Sequence, residues 1–192
     1  MELVFATGNA HKAAEAQQIL RGRMPGVTVL TFDGESPVES GTSFLKNALI
    51  KARAAHKATG KPAFADDSGI SVEVMGGAPG IFSAIWSGTR DDQINRDLLL
   101  AQLEDIPLEH RGAAFVCTVA LVSDDAEVSF TGIWSGSIAP QAAGDGGFGY
   151  DPVFVPEGFS ETAAELDPEV KNSMSHRFLA MQQMASYLEE NS

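Results

Sequence analysis

The sequence predicts one globular domain in which strands and helices alternate, an order compatible with the α/β class. The chain has 192 residues, of which 44% are hydrophobic and 20% charged. This is the composition of one compact domain or of two closely packed lobes. Short apolar runs typical of buried strands are followed by segments whose apolar residues recur at helical spacing. No repeat or low-complexity tract interrupts this order.

The first half of the chain contains two strand–helix pairs and an acidic turn. Its predicted strands are residues 3–6, 27–31, 63–65 and 71–75. Its predicted helices are His11 to Leu20 and a second one, capped by Ser40 or Thr42, that ends near Gly60. The last two strands flank Asp66-Asp67-Ser68-Gly69, which we predict as a turn that places acidic side chains at a strand end.

The second half contains a helix, a hairpin, a glycine-rich loop and a terminal helix. A helix starts at Thr89 or Asp91 and runs through Leu103. The predicted strands are residues 111–122 and 127–134, joined in a hairpin, and residues 153–155. Asp167 as N-cap and Pro168 at the first helical position begin the terminal helix.

Charge and cysteine content exclude several classes of function. Thirteen basic residues against 26 acidic ones give a net charge of −13, which repels nucleic acids and anionic membranes. The one cysteine, Cys117, lies in an apolar run and is expected to be a buried thiol in a reducing compartment. Because neither a leader nor a long apolar segment is evident, we expect a cytoplasmic protein.

The first candidate site is the turn Thr7-Gly8-Asn9-Ala10-His11-Lys12, where a strand gives way to a helix. Backbone N–H groups and the positive end of the helix can face an anion there, and Lys12 adds a cation. The spaced glycines of a Walker loop are missing. A plain strand-to-helix turn therefore stays an alternative.

The second candidate is the carboxylate set Glu39, Asp66 and Asp67. Carboxylate oxygens suit Mg²⁺, which takes one or two of them and completes its shell with water and substrate phosphates. The alternative is helix capping for Glu39 and turn formation for the aspartates. Two adjacent buried aspartates need a cation, which a metal or Lys51 can supply, although Lys51 is also explained as a solvated lysine.

Two further candidates lie near the C-terminus. The loop 144–151 has enough glycine to approach a ligand closely, and Phe148 offers a ring for base stacking. On the terminal helix, Arg177 falls on the apolar face, where an Arg–carboxylate pair is the alternative to a ligand contact. Lys171 and His176 diverge by about 140° on one ideal helix. They share a ligand only if the helix bends or restarts near Ser175.

Together these residues resemble the inosine triphosphate pyrophosphatase family, which acts on non-standard purine nucleotides. The resemblance covers nearly the whole chain. Its motifs are Ala6-Thr7-Gly8-Asn9 with Lys12, Glu39-Ser40-Gly41 with Phe44 and Asn47, Ala65-Asp66-Asp67-Ser68-Gly69, Gly76-Gly77-Ala78-Pro79-Gly80, Gly147-Phe148-Gly149-Tyr150-Asp151-Pro152, Thr162-Ala163-Ala164-Glu165-Leu166, Lys171 and Ser175-His176-Arg177.

The resemblance implies a mixed, elongated central sheet flanked by helices, two lobes with a cleft between them, and a homodimer. It also implies cleavage of ITP, dITP or XTP between the α- and β-phosphates, with Mg²⁺ as cofactor. The metal would be held by Glu39 and Asp67, and Asp67 would also accept a proton from water. Lys51 is expected to take part in catalysis by opposing phosphate charge. The implied substrate contacts are Thr7, Gly8, Asn9, Ala10, His11, Lys12, Ser68, Phe148, Gly149, Tyr150, Asp151, Lys171, His176 and Arg177.

Two alternatives to this function stay open. A related pyrophosphatase for other modified nucleotides would keep the architecture, and His176 and Arg177 argue instead for 6-oxopurines. A nucleotide-binding sensor without catalysis would not need Asp67. Two positions depart from the family pattern, since Ile85 and Ala143 stand where arginine is frequent.

Overall fold

The computed structural model of the protein describes residues 1–191, and for Ala10 and His11 it describes the backbone alone. The described residues contain a six-stranded sheet. Its strands are β1 (Glu2–Phe5), β2 (Thr28–Thr31), β3 (Ala63–Val72), β4 (Gly112–Val122), β5 (Glu127–Ile138) and β6 (Phe154–Pro156). Their order in the sheet is β2-β1-β3-β4-β5-β6. Strand β1 is parallel to β2 and β3, whereas β5 and β6 are antiparallel, so the predicted mixed α/β class is confirmed.

Five α-helices accompany the sheet over the described residues. They are α1 (Ala10–Arg23), α2 (Phe44–Thr59), α3 (Asp92–Gln102), α4 (Pro168–Met174) and α5 (His176–Glu190). Asp91 caps α3 by accepting a hydrogen bond from the Ile94 N–H, and Asp167 caps α4 with Pro168 as its first residue. Both starts agree with the sequence prediction.

The start of α2 corrects the sequence prediction. Its N-cap is Ser43, whose hydroxyl accepts from the Lys46 N–H, and neither Ser40 nor Thr42 has this role. Ser43 is the residue directly before the first helical turn, which is the position from which a side-chain oxygen reaches the free N–H groups. The predicted end is confirmed, since Gly60 closes α2 in the left-handed conformation at φ 64°.

Strand β3 corrects a second prediction. Residues 63–72 form one strand, and the turn predicted at Asp66-Asp67-Ser68-Gly69 is wrong. Because β3 lies between β1 and β4, a turn would have left buried peptide groups without ladder partners. Gly69 serves close packing here, since an added Cβ would collide with the Gly80 carbonyl and the Ser83 side chain.

The chain divides into two compact units. The first contains residues 1–67, 117–132 and 177 to the end of the described chain, and the second contains residues 68–116 and 133–176. The core of the first unit includes Phe5 and Phe64, whose rings stack at 4.4 Å. The core of the second unit includes Phe115, Trp134 and Phe154. Each unit therefore has its own apolar centre, which is what holds its site residues in place.

Among residues 1–191, no helix combines the length and the apolar character that a bilayer crossing requires.

Candidate active site

The turn after β1 has the geometry of a capped strand-to-helix junction. The Thr7 hydroxyl accepts from the Asn9 N–H at 3.1 Å, and Asn9 Oδ1 accepts from the Lys12 N–H at 3.2 Å. Gly8 and Asn9 are exposed, so the start of α1 is open to a ligand. The side chains of Ala10 and His11, also predicted as substrate contacts, lie outside the described residues.

Strand β3 sends its two aspartates to opposite faces of the sheet. Successive side chains of a strand alternate between faces. Asp66 therefore shares a face with Phe64, which packs in the core formed with α1 and α5. Asp67 shares a face with Ala65, which packs against Ala48 and Ala52 of α2. The two neighbouring carboxylates consequently have different surroundings.

Asp66 forms ion pairs with two cationic side chains of the protein. Its Oδ2 accepts from Lys12 Nζ at 2.9 Å and from Arg177 Nε at 3.3 Å, and the carboxylate is buried. Burial by itself raises the pKa of Asp66, but Lys12 and Arg177 outweigh it and hold the pKa well below its usual range. We therefore expect Asp66 to be ionised near neutral pH, as a counter-ion of Lys12 and Arg177 and a poor proton acceptor.

Arg177 completes this buried network. Its Nη1 donates to Glu15 Oε2 at 3.0 Å while its Nε contacts Asp66. Burial lowers the pKa of Arg177, and Asp66 and Glu15 more than reverse this. The Arg–carboxylate pair that the sequence left open is therefore present.

Asp67 lies in a different setting, beside α2. Asn47 Nδ2 donates to Asp67 Oδ2 at 3.0 Å, and Lys51 Nζ lies 3.7 Å from Oδ1. Burial raises the pKa of Asp67, and the nearby Glu39 adds to the rise, which Lys51 and Asn47 offset only in part. The Asp67 side chain is 13% exposed, so this carboxylate combines restricted solvation with raised basicity.

Glu39 and Asp67 share one cation, the ammonium of Lys51. Lys51 Nζ lies 3.1 Å from Glu39 Oε1, and its side chain is 15% exposed. The alternative of a freely solvated Lys51 is therefore wrong. Glu39 does not cap α2, because Ser43 does. The two carboxylates converge on a point that already favours positive charge, which fits a hard cation.

No group of three or more Asp, Glu, His or Cys side chains suited to a metal occurs among the described residues. A pair of carboxylates nevertheless satisfies Mg²⁺, which keeps several waters and takes the rest of its ligands from substrate phosphates. Asp66 is not a third ligand, because it points away from Glu39 and holds Lys12 and Arg177. Ser68 follows Asp67 in β3 and is half-buried.

The second unit brings Phe148, Asp151 and Lys171 together. Asp151, which is buried, accepts from the Phe148 N–H at 2.8 Å and from Lys171 Nζ at 2.6 Å. Lys171 Nζ also lies 5.5 Å from the centre of the Phe148 ring. That ring is 60% exposed, while the neighbouring Tyr150 is buried and donates its hydroxyl hydrogen to the Ser83 carbonyl.

The terminal helical segment restarts at Ser175. Ser175 is extended, with ψ 154°, and separates α4 from α5. Lys171 therefore belongs to α4 and His176 begins α5, so the divergence of about 140° expected on one ideal helix does not apply to them. The His176 ring stacks on Phe115 at 4.9 Å with an interplanar angle of 12°.

Two residues that were not predicted as site residues support it. Asn47 is buried and links the Gly41 N–H to Asp67, so it ties the segment after Glu39 to β3. Glu15 pairs with Arg177. Helical spacing carried a signal for both, since Asn47 lies four residues before Lys51 and Glu15 three residues after Lys12, which places each pair on one helix face.

The chain is similar to known proteins over nearly its whole length. A model of the Ham1 family matches residues 3–187. The chain is 54% identical, over 179 residues, to a protein named dITP/XTP pyrophosphatase from Leifsonia xyli subsp. xyli, covering 92% of this chain and 90% of that protein.

Solved structures share the fold as well. A HAM1 protein from Coxiella burnetii matches with a TM-score of 0.92 and 40% identity over 99% of both chains. The crystal structure named nucleoside-triphosphatase / dITP/XTP pyrophosphatase, from Mycobacterium abscessus, matches with a TM-score of 0.80 and 48% identity, covering 96% of this chain and 98% of that one.

Proposed function

Because the chain belongs to the Ham1 family, we propose that it hydrolyses the triphosphates of non-standard purines, namely ITP, dITP and XTP. The products are the nucleoside monophosphate and pyrophosphate, so deaminated purines would be removed from the nucleotide pool. The observation that carries the proposal is that Asp67, 13% exposed, and Glu39 both approach the Lys51 ammonium, at 3.7 and 3.1 Å. Relatives named dITP/XTP pyrophosphatase support the choice of substrate.

Glu39 and Asp67 are the residues that would hold Mg²⁺. Their oxygens lie 3.1 and 3.7 Å from the same ammonium group, that of Lys51. When bound, the metal supplies positive charge that neutralises the phosphates during transfer. Lys51 then contributes its ammonium to the same charge balance, as a catalytic residue.

Asp67 is proposed as the proton acceptor for the attacking water. Water forms a new P–O bond as the bond between the α- and β-phosphates breaks, and one water proton moves to an Asp67 oxygen while pyrophosphate departs. Asp67 suits this role because its side chain is only 13% exposed, and a carboxylate held in place can take the proton as water attacks. Asn47 holds Asp67 Oδ2 at 3.0 Å and so fixes the orientation of the base.

The turn from Thr7 to Lys12 is proposed to bind phosphate oxygens through its N–H groups. Lys12, Lys51 and Lys171 each pair with a carboxylate, at 2.9, 3.1 and 2.6 Å. These pairs keep the ammonium groups ordered in a protein of net charge −13, and phosphate oxygens would join or replace the carboxylates as partners. Ser68 is proposed as a further contact to the substrate.

Base recognition is assigned to the loop that carries Phe148 and to His176. Phe148 would stack on the purine, with Gly149, Tyr150 and Asp151 shaping the loop around it, and His176 would donate to the 6-oxo group. Arg177 is already held by Asp66 and Glu15, so we assign it the support of the first turn of α5. A donor opposite adenine's amino group is left unpaired, at a cost of about 1–3 kcal/mol.

The test is a substrate panel in which pyrophosphate and orthophosphate are measured separately. We expect kcat/KM for ITP, dITP and XTP to exceed that for ATP by about 5- to 150-fold, the equivalent of that cost. Pyrophosphate should be the product, and release should require Mg²⁺. Equal rates on all these nucleotides would refute the specificity. Tight binding without turnover would indicate the sensor, and activity on other modified nucleotides alone would indicate the related pyrophosphatase.

We propose further that the protein acts in the cytoplasm as a homodimer. The single cysteine is buried and needs no disulfide partner, which suits a reducing compartment. The mass of the purified protein by light scattering checks the oligomeric state. A mass near 20.3 kDa at working concentration would contradict the dimer.

A further inference from the structure

The N–H and the carbonyl of Gly149 both form hydrogen bonds with side chains of α3. Asp92 Oδ2 accepts from the Gly149 N–H at 2.9 Å, and Arg96 Nη1 donates to the Gly149 carbonyl at 2.7 Å. Asp92 and Arg96 are four residues apart on α3, so their side chains lie on one face of the helix. One turn of α3 therefore supplies both an acceptor for the Gly149 N–H and a donor for the Gly149 carbonyl.

The backbone on either side of Gly149 is also fixed. The Phe148 N–H donates to Asp151, which Lys171 holds in turn. Gly147 and Gly149 have φ angles of 72° and 59°, in the left-handed region that favours glycine. At Gly147 an added Cβ would also collide with the Asp151 carboxylate. The loop therefore has one defined path rather than many.

This ordered path carries an exposed ring. A single exposed apolar side chain is common on protein surfaces and by itself indicates nothing. Phe148 differs because its ring is 60% exposed while its own N–H donates to the buried Asp151, and the N–H and carbonyl of Gly149 bond to the exposed Asp92 and the half-buried Arg96. Ordering an exposed ring before a ligand arrives lowers the entropy lost on binding.

We propose that Asp92 and Arg96 are positioning residues for base recognition. They hold Gly149 in place as a clamp, which orients the Phe148 ring for stacking on the purine. Neither residue is expected to touch the substrate. The proposal rests on the proposed function, since it takes a purine as the ligand of Phe148. It assigns a role in substrate specificity to two residues of α3 that lie outside the sequence motifs.

Kinetics of Asp92→Ala and Arg96→Ala with dITP test the clamp. Because the clamp acts through binding of the base, we expect KM to rise about 5- to 20-fold with kcat within about twofold, the lower range for losing a stacked base. Asp92→Asn keeps an acceptor oxygen and should restore most of the affinity. Asp97→Ala removes the same charge from an exposed position of the same helix and should leave KM unchanged.

A double-mutant cycle separates positioning from general damage. In a Phe148→Ala background, Asp92→Ala should change KM by less than about twofold, because the ring it positions is gone. An undiminished effect in that background would overturn the proposal. So would a KM for Asp92→Ala equal to that for Asp97→Ala.

Hydrogen exchange provides a readout that needs no turnover. The peptide spanning residues 145–151 should exchange about tenfold faster in Asp92→Ala than in the parent protein, because the Gly149 N–H loses its acceptor. Unchanged exchange would refute the clamp even if dITP is hydrolysed. If the parent protein hydrolyses no nucleotide, the proposed function fails and with it the role of the clamp, whatever the exchange shows of its hydrogen bonds.

Discussion

Replacing Asp67 by asparagine should stabilise the metal-free protein while abolishing its activity. Asparagine keeps an oxygen that can accept from Asn47 and loses only the 3.7 Å contact to Lys51. Because this contact is long and Lys51 keeps its shorter 3.1 Å pair with Glu39, we expect its loss to cost no more than about 1 kcal/mol. Against this loss, the change removes a half-buried negative charge that lies beside Glu39 and Asp66.

The sign follows from the raised pKa of Asp67. When an acidic group has a higher pKa in the folded protein than in the unfolded one, its protonated form stabilises the fold. This stabilisation is fully present below the unfolded pKa, which is about 3.9 for aspartate. This contribution is lost as the pH rises through the folded pKa, so near pH 7 the ionised group destabilises the fold. Asparagine is neutral at every pH. We therefore expect the substitution to add about 0.5–2 kcal/mol to the free energy of unfolding near pH 7.

Calorimetry in EDTA measures this gain, which for a chain of this length corresponds to about 2–4 °C in Tm per kcal/mol. Asp125→Asn is the matched control, because Asp125 is exposed in the β4–β5 turn and the change removes the same charge. The gain should shrink towards zero at about pH 3, where Asp67 is also protonated. Equal Tm values for the two variants near pH 7 would refute the reasoning. The activity of Asp67→Asn should fall by about 10²- to 10⁴-fold.

Three further outcomes follow from the same contacts. Arg177→Met leaves Asp66 and Glu15 with a missing partner and should lower the free energy of unfolding in urea by about 3–5 kcal/mol; a loss below about 1 kcal/mol would contradict the buried network. Asn47→Leu removes the group that orients Asp67 and should lower kcat by about 10- to 100-fold, measured by pyrophosphate release across a Mg²⁺ titration; a rate within twofold of the parent would remove Asn47 from the site. EDTA should abolish pyrophosphate release and added Mg²⁺ should restore it, so persistent release in EDTA would exclude the proposed metal.

Local signals predicted most of the elements. Caps such as Asp91 and Asp167 act on the next few residues, and apolar spacing reports which face of a helix is buried, so helix starts and the β4–β5 hairpin were accessible from sequence. The start of α2 differs from the prediction because the sequence offers three hydroxyl residues, Ser40, Thr42 and Ser43, for one cap. Only the position of the first helical turn decides among them.

The acidic segment 66–69 differs from the predicted turn for another reason. Asp, Ser and Gly favour turns in isolation, but the ionic partners of Asp66 come from Lys12, 54 residues earlier, and Arg177, 111 residues later. These distant cations stabilise the ionised Asp66 carboxylate within the strand, and the local sequence around Asp66 does not indicate them. The restart at Ser175 is similar, since periodicity alone continues the helix through it.

The register of β3 gives the two neighbouring aspartates different surroundings. Adjacent residues in a strand face opposite sides, so a shift by one residue would exchange the surroundings of Asp66 and Asp67. On one face two cations lower the pKa of a carboxylate and occupy its oxygen; on the other, burial raises the pKa and leaves the carboxylate beside Glu39. Environments that drive the pKa values of two like groups apart assign them different roles. We therefore propose that Asp66 is a structural counter-ion and Asp67 the base, although both residues are aspartates.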